Sequence, residues 1–388
     1  VLRQVTATFV YGLTATPIRK DGHQPIIFMQ CGKIRFTSDA KSQMENQGFK
    51  RLLIPRFTSF RSITSDRKTY VQITQELSED KVRNEFVMED VKAAIQKGRT
   101  PLVLTTRTAH VKVLAQMLMP FADHVIQLIG ADSAKEKRLA LQKLQSIPIS
   151  ESLVIVATGK YVGEGFDYPR LDTLFLTMPI AWKGNVEQYA GRLHREYEGK
   201  SEVCIYDYVD IRVPLCDSMY RKRLKGYARA GYGKNVTSPA PDKKSQELIY
   251  EQNNYEAAFR KDLAKAKHSV VIAVPKVKFK YKPSIMSALA NLLHDGVSVV
   301  VHVKEEGANE LELSNAGMDV VCNKKQTLQC AIIDKSIVWY GNINFFGYNS
   351  ETNNVMRIAD YKIANEMMEI LYSATENKVN EKSYTLPI

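Results

Sequence analysis

The sequence predicts an α/β fold, a parallel sheet covered by helices on both faces and followed by a second αβ unit. Two observations carry this prediction. From about residue 80 to residue 209, short apolar runs alternate with segments of helical period, the pattern of strands buried on both faces. After the Pro/Ser/charged stretch 236–246 a second alternation begins, so that stretch reads as a linker. At 388 residues the chain has room for two or three domains with cores of their own.

Composition narrows the class further. With 44% hydrophobic and 25% charged residues, this is a globular protein rather than a disordered one. No apolar run approaches a membrane span, so a cytoplasmic location without a membrane partner is expected. The net charge of +12 suggests a polyanionic partner. Cys31, Cys204, Cys216, Cys322 and Cys330 include no C-x-x-C pair; they read as buried thiols, not as bridges or metal ligands, and no metal site is expected.

In chain order, residues 1–36 read as a helix end, a strand at Phe9–Leu13, a loop, and a strand around Pro25–Phe28, too little for a domain. Residues 37–80 hold a strand-like Arg51–Phe60 stretch and a polar segment, taken together as a connection. A helix over Asp80–Lys97 then leads to strand Pro101–Thr105, helix Ala109–Met119, strand His124–Ile129 and helix Ala134–Gln145. Strands Ser152–Val156 and Leu171–Met178, a helix through residues 188–195, and strand Glu202–Val209 complete the first sheet. The basic helix Met219–Arg229 reads as solvated or as domain packing. Beyond the linker come helix Asn254–Ala264, strand Ser269–Val274, helix Pro283–Leu293 and strand Val297–Val303. A helix near Leu311–Ala316, strand Asp319–Cys322 and the hairpin Gln329–Asp334/Ser336–Tyr340 follow.

Three motifs carry chemistry. Gln188, Gly191, Arg192 and Arg195 have the spacing Q-x-x-G-R-x-x-R, which on a helix puts all four on one face. Two fixed guanidiniums suit a phosphate whose charge grows during transfer, although a solvated face with two ordinary arginines has the same spacing. Thr158, Gly163, Gly165 and Asp167 follow a buried-strand run, and Gly-Leu-Thr14-Ala-Thr16-Pro follows another. In this order and at these intervals they resemble motifs VI, V and III of superfamily 2 helicases and translocases. That motor is two RecA-like domains with ATP between them; Gly12 to Gly22 is most similar to the XPB-type branch.

The resemblance implies roles. Arg195 would be an arginine finger toward the γ-phosphate, with Arg192 beside it and Gln188 orienting both. Gly163, Gly165 and Asp167 would line the nucleotide, and Thr14 and Thr16 would couple its state to the nucleic acid, expected to be DNA although the sequence does not separate DNA from RNA. Thr158 and Gly159, and Thr106 and Arg107, would hold phosphates of the tracked strand, though threonines at strand ends also serve as ordinary helix caps. No G-x-x-x-x-G-K-[ST] loop and no D-E-x-H box is present. The resemblance therefore implies a fragment: a remnant of the first motor domain at 1–36, the second at 37–235, the linker at 236–246, and a further domain at 247–388. ATP and Mg2+ would be held mainly by the missing first lobe, and this chain alone would not hydrolyse ATP.

The segment Leu328–Phe345 resembles the phospholipase D superfamily signature, H-x-K-x-x-x-x-D followed by G-[SN]-x-N. Asp334 and Gly341-Asn342-Ile343-Asn344 match, but Thr327 stands at the histidine position and Gln329 at the lysine position. Without an imidazole nucleophile or a cation on the phosphate, an inactive domain is expected, one that binds nucleic acid or pairs with a second copy. Asp334 also reads as a plain hairpin-turn residue. A nuclease using another nucleophile and a motorless nucleic-acid-binding scaffold are the alternatives.

Overall fold

The computed structural model describes residues 12, 25, 28, 29, 32–36, 49–62, 69–131, 133–163, 166–180, 185–232, 249–277, 283–305, 307–324, 327–350 and 353–380. The chain divides into two compact units, Val1–Gly48 and Phe49–Ile388. In the first, Pro25, Phe28 and Met29 are helical, which corrects the strand expected around Pro25–Phe28. Gly32, at φ +77°, donates its N–H to the Phe28 carbonyl at 2.9 Å, closing a helical turn in the way a C-terminal glycine does. The strand expected at Phe9–Leu13 falls outside the described residues apart from Gly12, and the linker 236–246 falls outside them entirely.

The second unit holds two sheets. The first contains β1 (Lys50–Phe57), β2 (Pro101–Thr105), β3 (His124–Leu128), β4 (Leu153–Thr158), β5 (Thr173–Leu176) and β6 (Glu202–Val209), in the order β1-β6-β5-β2-β4-β3. Every pairing in it is parallel. Every residue of β2, β4 and β5 is buried, as largely apolar strands covered on both sides must be. Its helices are α1 (Tyr70–Glu79), α2 (Lys81–Gln96), α3 (Thr108–Leu118), α4 (Ala134–Ser146), α5 (Gly159–Gly163), α6 (Asn185–Leu193) and α7 (Pro214–Arg229).

The stretch read as a connection is corrected on two counts. β1 is an edge strand in register with β6, from Lys50 opposite Glu202 to Phe57 opposite Val209. The polar stretch behind it ends in α1, whose start is fixed by a capping box between Thr69 and Gln72.

The second sheet has seven strands: β7 (Ile249–Glu251), β8 (Ser269–Ala273), β9 (Ser298–Val303), β10 (Asp319–Cys322), β11 (Cys330–Ile333), β12 (Ile337–Gly341) and β13 (Asn354–Ala359). They run in the order β10-β9-β8-β11-β12-β13-β7. β8, β9 and β10 are parallel and the other pairings antiparallel. The helices here are α8 (Tyr255–Leu263), α9 (Pro283–His294), α10 (Ala308–Asn315) and α11 (Tyr361–Asn380). Tyr255, Phe259 and Leu263 of α8 and Ile285 and Leu289 of α9 share a core with Val270, Ile272 and Trp339 of the sheet.

The basic helix α7 packs between the two sheets. Toward β6 it presents Arg223, whose Nε and Nη2 bond both oxygens of Asp207 at 2.9 and 2.8 Å. Toward the second sheet Tyr220 stacks on Tyr340 at 5.8 Å and 9°, and the Tyr340 hydroxyl donates to Asp217. Phe57, at the end of β1, meets Tyr340 edge-on at 5.9 Å. Just before α7, Arg212 pairs with Glu366 at 2.6 Å and with Glu369 at 3.2 Å on α11. Among the described residues no helix is long and apolar enough to cross a membrane, and no group of three or more His, Cys, Asp or Glu could hold a metal ion.

Candidate nucleotide and nucleic-acid site

The threonines singled out in the first sheet sit where β2 and β4 end, whereas Asp167 and Arg195 lie toward the starts of β5 and β6. At the end of β2, Thr105 is buried and its hydroxyl lies 2.9 Å from His110 Nδ1, while His110 Nε2 lies 2.9 Å from Asn84 Oδ1. An acceptor at Nε2 requires the Nε2–H tautomer, so Thr105 donates to Nδ1. Burial, with Arg83 and Arg107 nearby, pulls the His110 pKa down to about 3 and keeps the ring neutral. This chain pins the strand end ahead of Thr106, which is exposed, and Arg107, which is half-buried and donates to the Val71 carbonyl at 3.3 Å.

At the end of β4, Thr158 is buried and its Oγ1 accepts the Gly130 N–H at 2.8 Å. Gly159 follows at the start of α5. Its need for glycine comes from Tyr189, whose hydroxyl donates to the Gly159 carbonyl at 3.1 Å. A Cβ on Gly159 would stand 2.5 Å from that hydroxyl oxygen. The strand-end turn and α6 are thus in direct contact.

The one-face reading of Gln188, Gly191, Arg192 and Arg195 is corrected. Helix α6 stops at Leu193, and Arg195 lies on a bend beyond it. The cause is local. His194 turns inward, with Nε2 2.9 Å from the Tyr232 hydroxyl and its ring stacked on Tyr232. Lys200 Nζ meanwhile donates to the carbonyls of Leu193 at 3.1 Å and Arg195 at 2.8 Å. Burial, with Arg51 and Lys200 close by, lowers His194 to about 3, so it is a packed neutral histidine.

Gln188 is exposed on the helix, and Gly191 has open space where a Cβ would be. Arg192 is half-buried, with its Nε shielded and without a hydrogen-bond partner. Arg195 reaches Asp167 instead, Nε to Oδ1 at 3.1 Å, with both side chains exposed. Asp167 and Arg195, separated by 28 residues, are thereby brought together. Gly163 closes α5, whereas Gly165, Thr14 and Thr16 lie outside the described residues. Tyr189 and Lys200 were not singled out from sequence. The signals available were an aromatic inside the Q-x-x-G-R run and a lysine directly after a turn glycine.

In the second sheet Asp334 stands apart from the other phospholipase-D-like positions, while the Gly341 N–H donates to the Gln329 carbonyl at 3.2 Å. Gln329 precedes β11 and Asp334 follows it, about 16 Å apart along an extended strand. The Asp334 carboxylate accepts the backbone N–H groups of Lys267, His268 and Ser269 at 2.9, 2.8 and 3.0 Å. Burial works against its charge, but the three donors outweigh it and hold the pKa below the usual carboxylate value. Asp334 and Lys335 both have positive φ, as the central residues of the turn that the Ser336 N–H closes on the Ile333 carbonyl at 3.0 Å, a conformation aspartate tolerates.

Asn342 Oδ1 accepts from the Asn354 N–H at 2.7 Å, and Asn344 Nδ2 donates to the Lys276 carbonyl at 2.9 Å. Both asparagines brace loops. Thr327 is exposed, and Gln329 Oε1 is buried without a partner. His302, on β9, is fully buried with neither ring nitrogen hydrogen-bonded, and burial lowers its pKa to about 4.

The structure is thus an α/β chain in which an exposed arginine and an exposed aspartate meet beside a parallel sheet. No family model matches it. It is similar to the transcript termination protein A18 of Myxoma virus, 27% identical over 155 residues, 38% of this chain and 31% of that protein. The chain thus matches about a third of the length of its viral relatives. Among solved structures, T4 UvsW aligns with a TM-score of 0.39 at 18% identity, over 47% of this chain and 40% of the other. Nuc from Salmonella typhimurium, a phospholipase D family member, aligns with a TM-score of 0.29 at 20% identity, over 33% and 91%.

Proposed function

We propose that this chain is the C-terminal part of an ATP-dependent DNA helicase or translocase of the XPB-like branch. It contributes the arginine side of a nucleotide pocket whose phosphate loop and Mg2+ ligands belong to an upstream lobe. The 236–388 region continues this motor as a linker and a phospholipase-D-like domain without its catalyst. The observation that carries the reading is the Arg195–Asp167 pair. An exposed guanidinium that is held, among the described residues, by an exposed carboxylate can exchange that partner for a phosphate.

Arg192, three residues before Arg195 and half-buried, is the proposed second donor, and Gln188 the residue proposed to orient them. The N–H groups at Thr106–Arg107 and the Thr158–Gly159 turn offer strand-end contacts to a nucleic-acid backbone. Such contacts do not read sequence, so the motor runs on any tract. The viral relatives, named for transcript termination, support a nucleic-acid role. Braced by structural bonds, Asp334, Asn342 and Asn344 support binding rather than phosphodiester cleavage in the last domain.

The test is DNA-stimulated ATP turnover by the intact parent protein. Arg195→Ala is expected to lower kcat by roughly a thousandfold, the effect of an arginine finger, and Arg192→Ala by somewhat less. Undiminished turnover in the double substitution defeats the proposal.

A further inference from the structure

We propose that Lys200 is a positioning residue for Arg195, fixing the loop that aims its guanidinium. The inference rests on the motor reading above and adds a residue to it.

The Lys200 ammonium donates to the carbonyls of Pro169, Leu193 and Arg195 at 2.5, 3.1 and 2.8 Å. Three acceptors use all three protons of the group. The carbonyls come from two segments: Pro169 lies two residues after Asp167, and Leu193 and Arg195 form the end of α6 and the bend after it. Asp167 and Arg195 also join these segments through their side chains.

The two ties differ in kind. The side-chain pair is exposed at both ends, and pairs of that sort hold geometry weakly. The ammonium is half-buried and its partners among the described residues are backbone carbonyls, so the tie persists when Arg195 leaves Asp167 for another anion. A lysine capping a helix in solvent reaches the last carbonyls of its own helix; this one also grips a loop 31 residues earlier in the chain. Gly199, at φ +79°, makes the approach possible by turning the backbone so that Lys200 N–H meets the Tyr197 carbonyl at 3.1 Å. Burial brings the lysine's pKa down to about 8, with Asp172 opposing the fall. The three-point tie is therefore complete below that pH and loses a donor above it.

The experiment compares Lys200→Met, Lys200→Arg, Arg195→Ala and the Lys200→Met/Arg195→Ala double variant in the intact parent protein. Lys200→Met should lower kcat at least tenfold while leaving the KM for ATP and the DNA affinity within about twofold. In the Arg195→Ala background it should change kcat less than twofold, because a residue acting through Arg195 has nothing left to position. Lys200→Arg should recover part of the loss. Wild-type kcat should fall on the alkaline side near pH 8, a limb missing from Arg195→Ala.

Wild-type turnover in Lys200→Met, or losses that multiply in the double variant, overturns the proposal. If Lys200→Met does not fold, an alkaline limb that is absent from wild type or retained in Arg195→Ala overturns it. An Arg195→Ala protein that turns over normally instead defeats the motor reading itself.

Discussion

Replacing Arg223 by methionine should remove about 3–5 kcal/mol of folding stability, the cost of leaving a buried carboxylate without its cation. The side chains of Arg223 and Asp207 are 1% and 0% exposed. Asp207 accepts two guanidinium bonds and the Tyr227 hydroxyl at 2.6 Å, so the substitution leaves only the phenol. Burial alone would lower the arginine's pKa; Asp207 more than offsets this and holds it above its ordinary value. Arg223 Nη1 also donates to the Ile180 carbonyl at 3.2 Å, tying α7 to the segment that leads toward α6. A second variant separates lost charge from lost packing. Asp207→Asn with Arg223→Met removes both charges while the amide oxygen still accepts from Tyr227, and it should recover all but roughly 1–2 kcal/mol. Urea unfolding of the 1–388 chain, followed by far-UV circular dichroism, measures both. A loss below about 1 kcal/mol in Arg223→Met, or equal losses in the single and double variants, refutes the argument.

Acid should unfold the chain through three histidines. His110, His194 and His302 have folded pKa values of about 3, 3 and 4 against 6.5 unfolded, so only the unfolded chain binds their protons as pH falls. Stability is then full above about pH 6.5 and drops below it by up to about 4 kcal/mol per pH unit, one proton per histidine; urea midpoints at pH 7, 6 and 5 check this. His302→Phe should take one proton from that slope and add about 1 kcal/mol at pH 7, because two buried unbonded nitrogens disappear. Gly159→Ala should cost about 1–3 kcal/mol through the Tyr189 hydroxyl, and Tyr189→Phe in the same chain should relieve part of it, as read in thermal melts. Asp334→Ala should lower the melting temperature without changing any phosphodiesterase rate. With its folded pKa depressed, the stabilisation from Asp334 is present above the unfolded value of 3.8 and fades as pH falls through the folded one.

The elements that local pattern specifies were legible in the sequence. β2 and β4 are apolar runs that each end in a threonine, and α2 to α4 have helical period, so their places follow without knowledge of partners. β1 was not, because its membership in the sheet depends on pairing with β6, about 150 residues away. The start of α1 was written as Thr69-x-x-Gln72, a capping box that a polar composition obscured. At the candidate site, residue types carried more than geometry did. The sequence implicates Asp167 and Arg195, but not the end of α6 between them. What stops that helix is a lysine beyond it and a tyrosine at 232, neither of which helical spacing can reveal.

The basic composition of α7, read from the sequence as solvated or as domain packing, serves packing. In the fold, Arg223 is cancelled by Asp207, and Arg221 pairs with Asp217 at 2.7 Å. The same helix offers Tyr220 and Asp217 to Tyr340, with the Tyr220 hydroxyl 3.5 Å from Met356 Sδ. Swinging the second sheet away would part a stacked pair of rings and break the Tyr340–Asp217 hydrogen bond, each costing on the order of 1 kcal/mol. The second sheet is therefore carried by the helix that anchors Asp207 and Ile180. Any displacement of α7 reaches both the approach to α6 and the sheet beyond it.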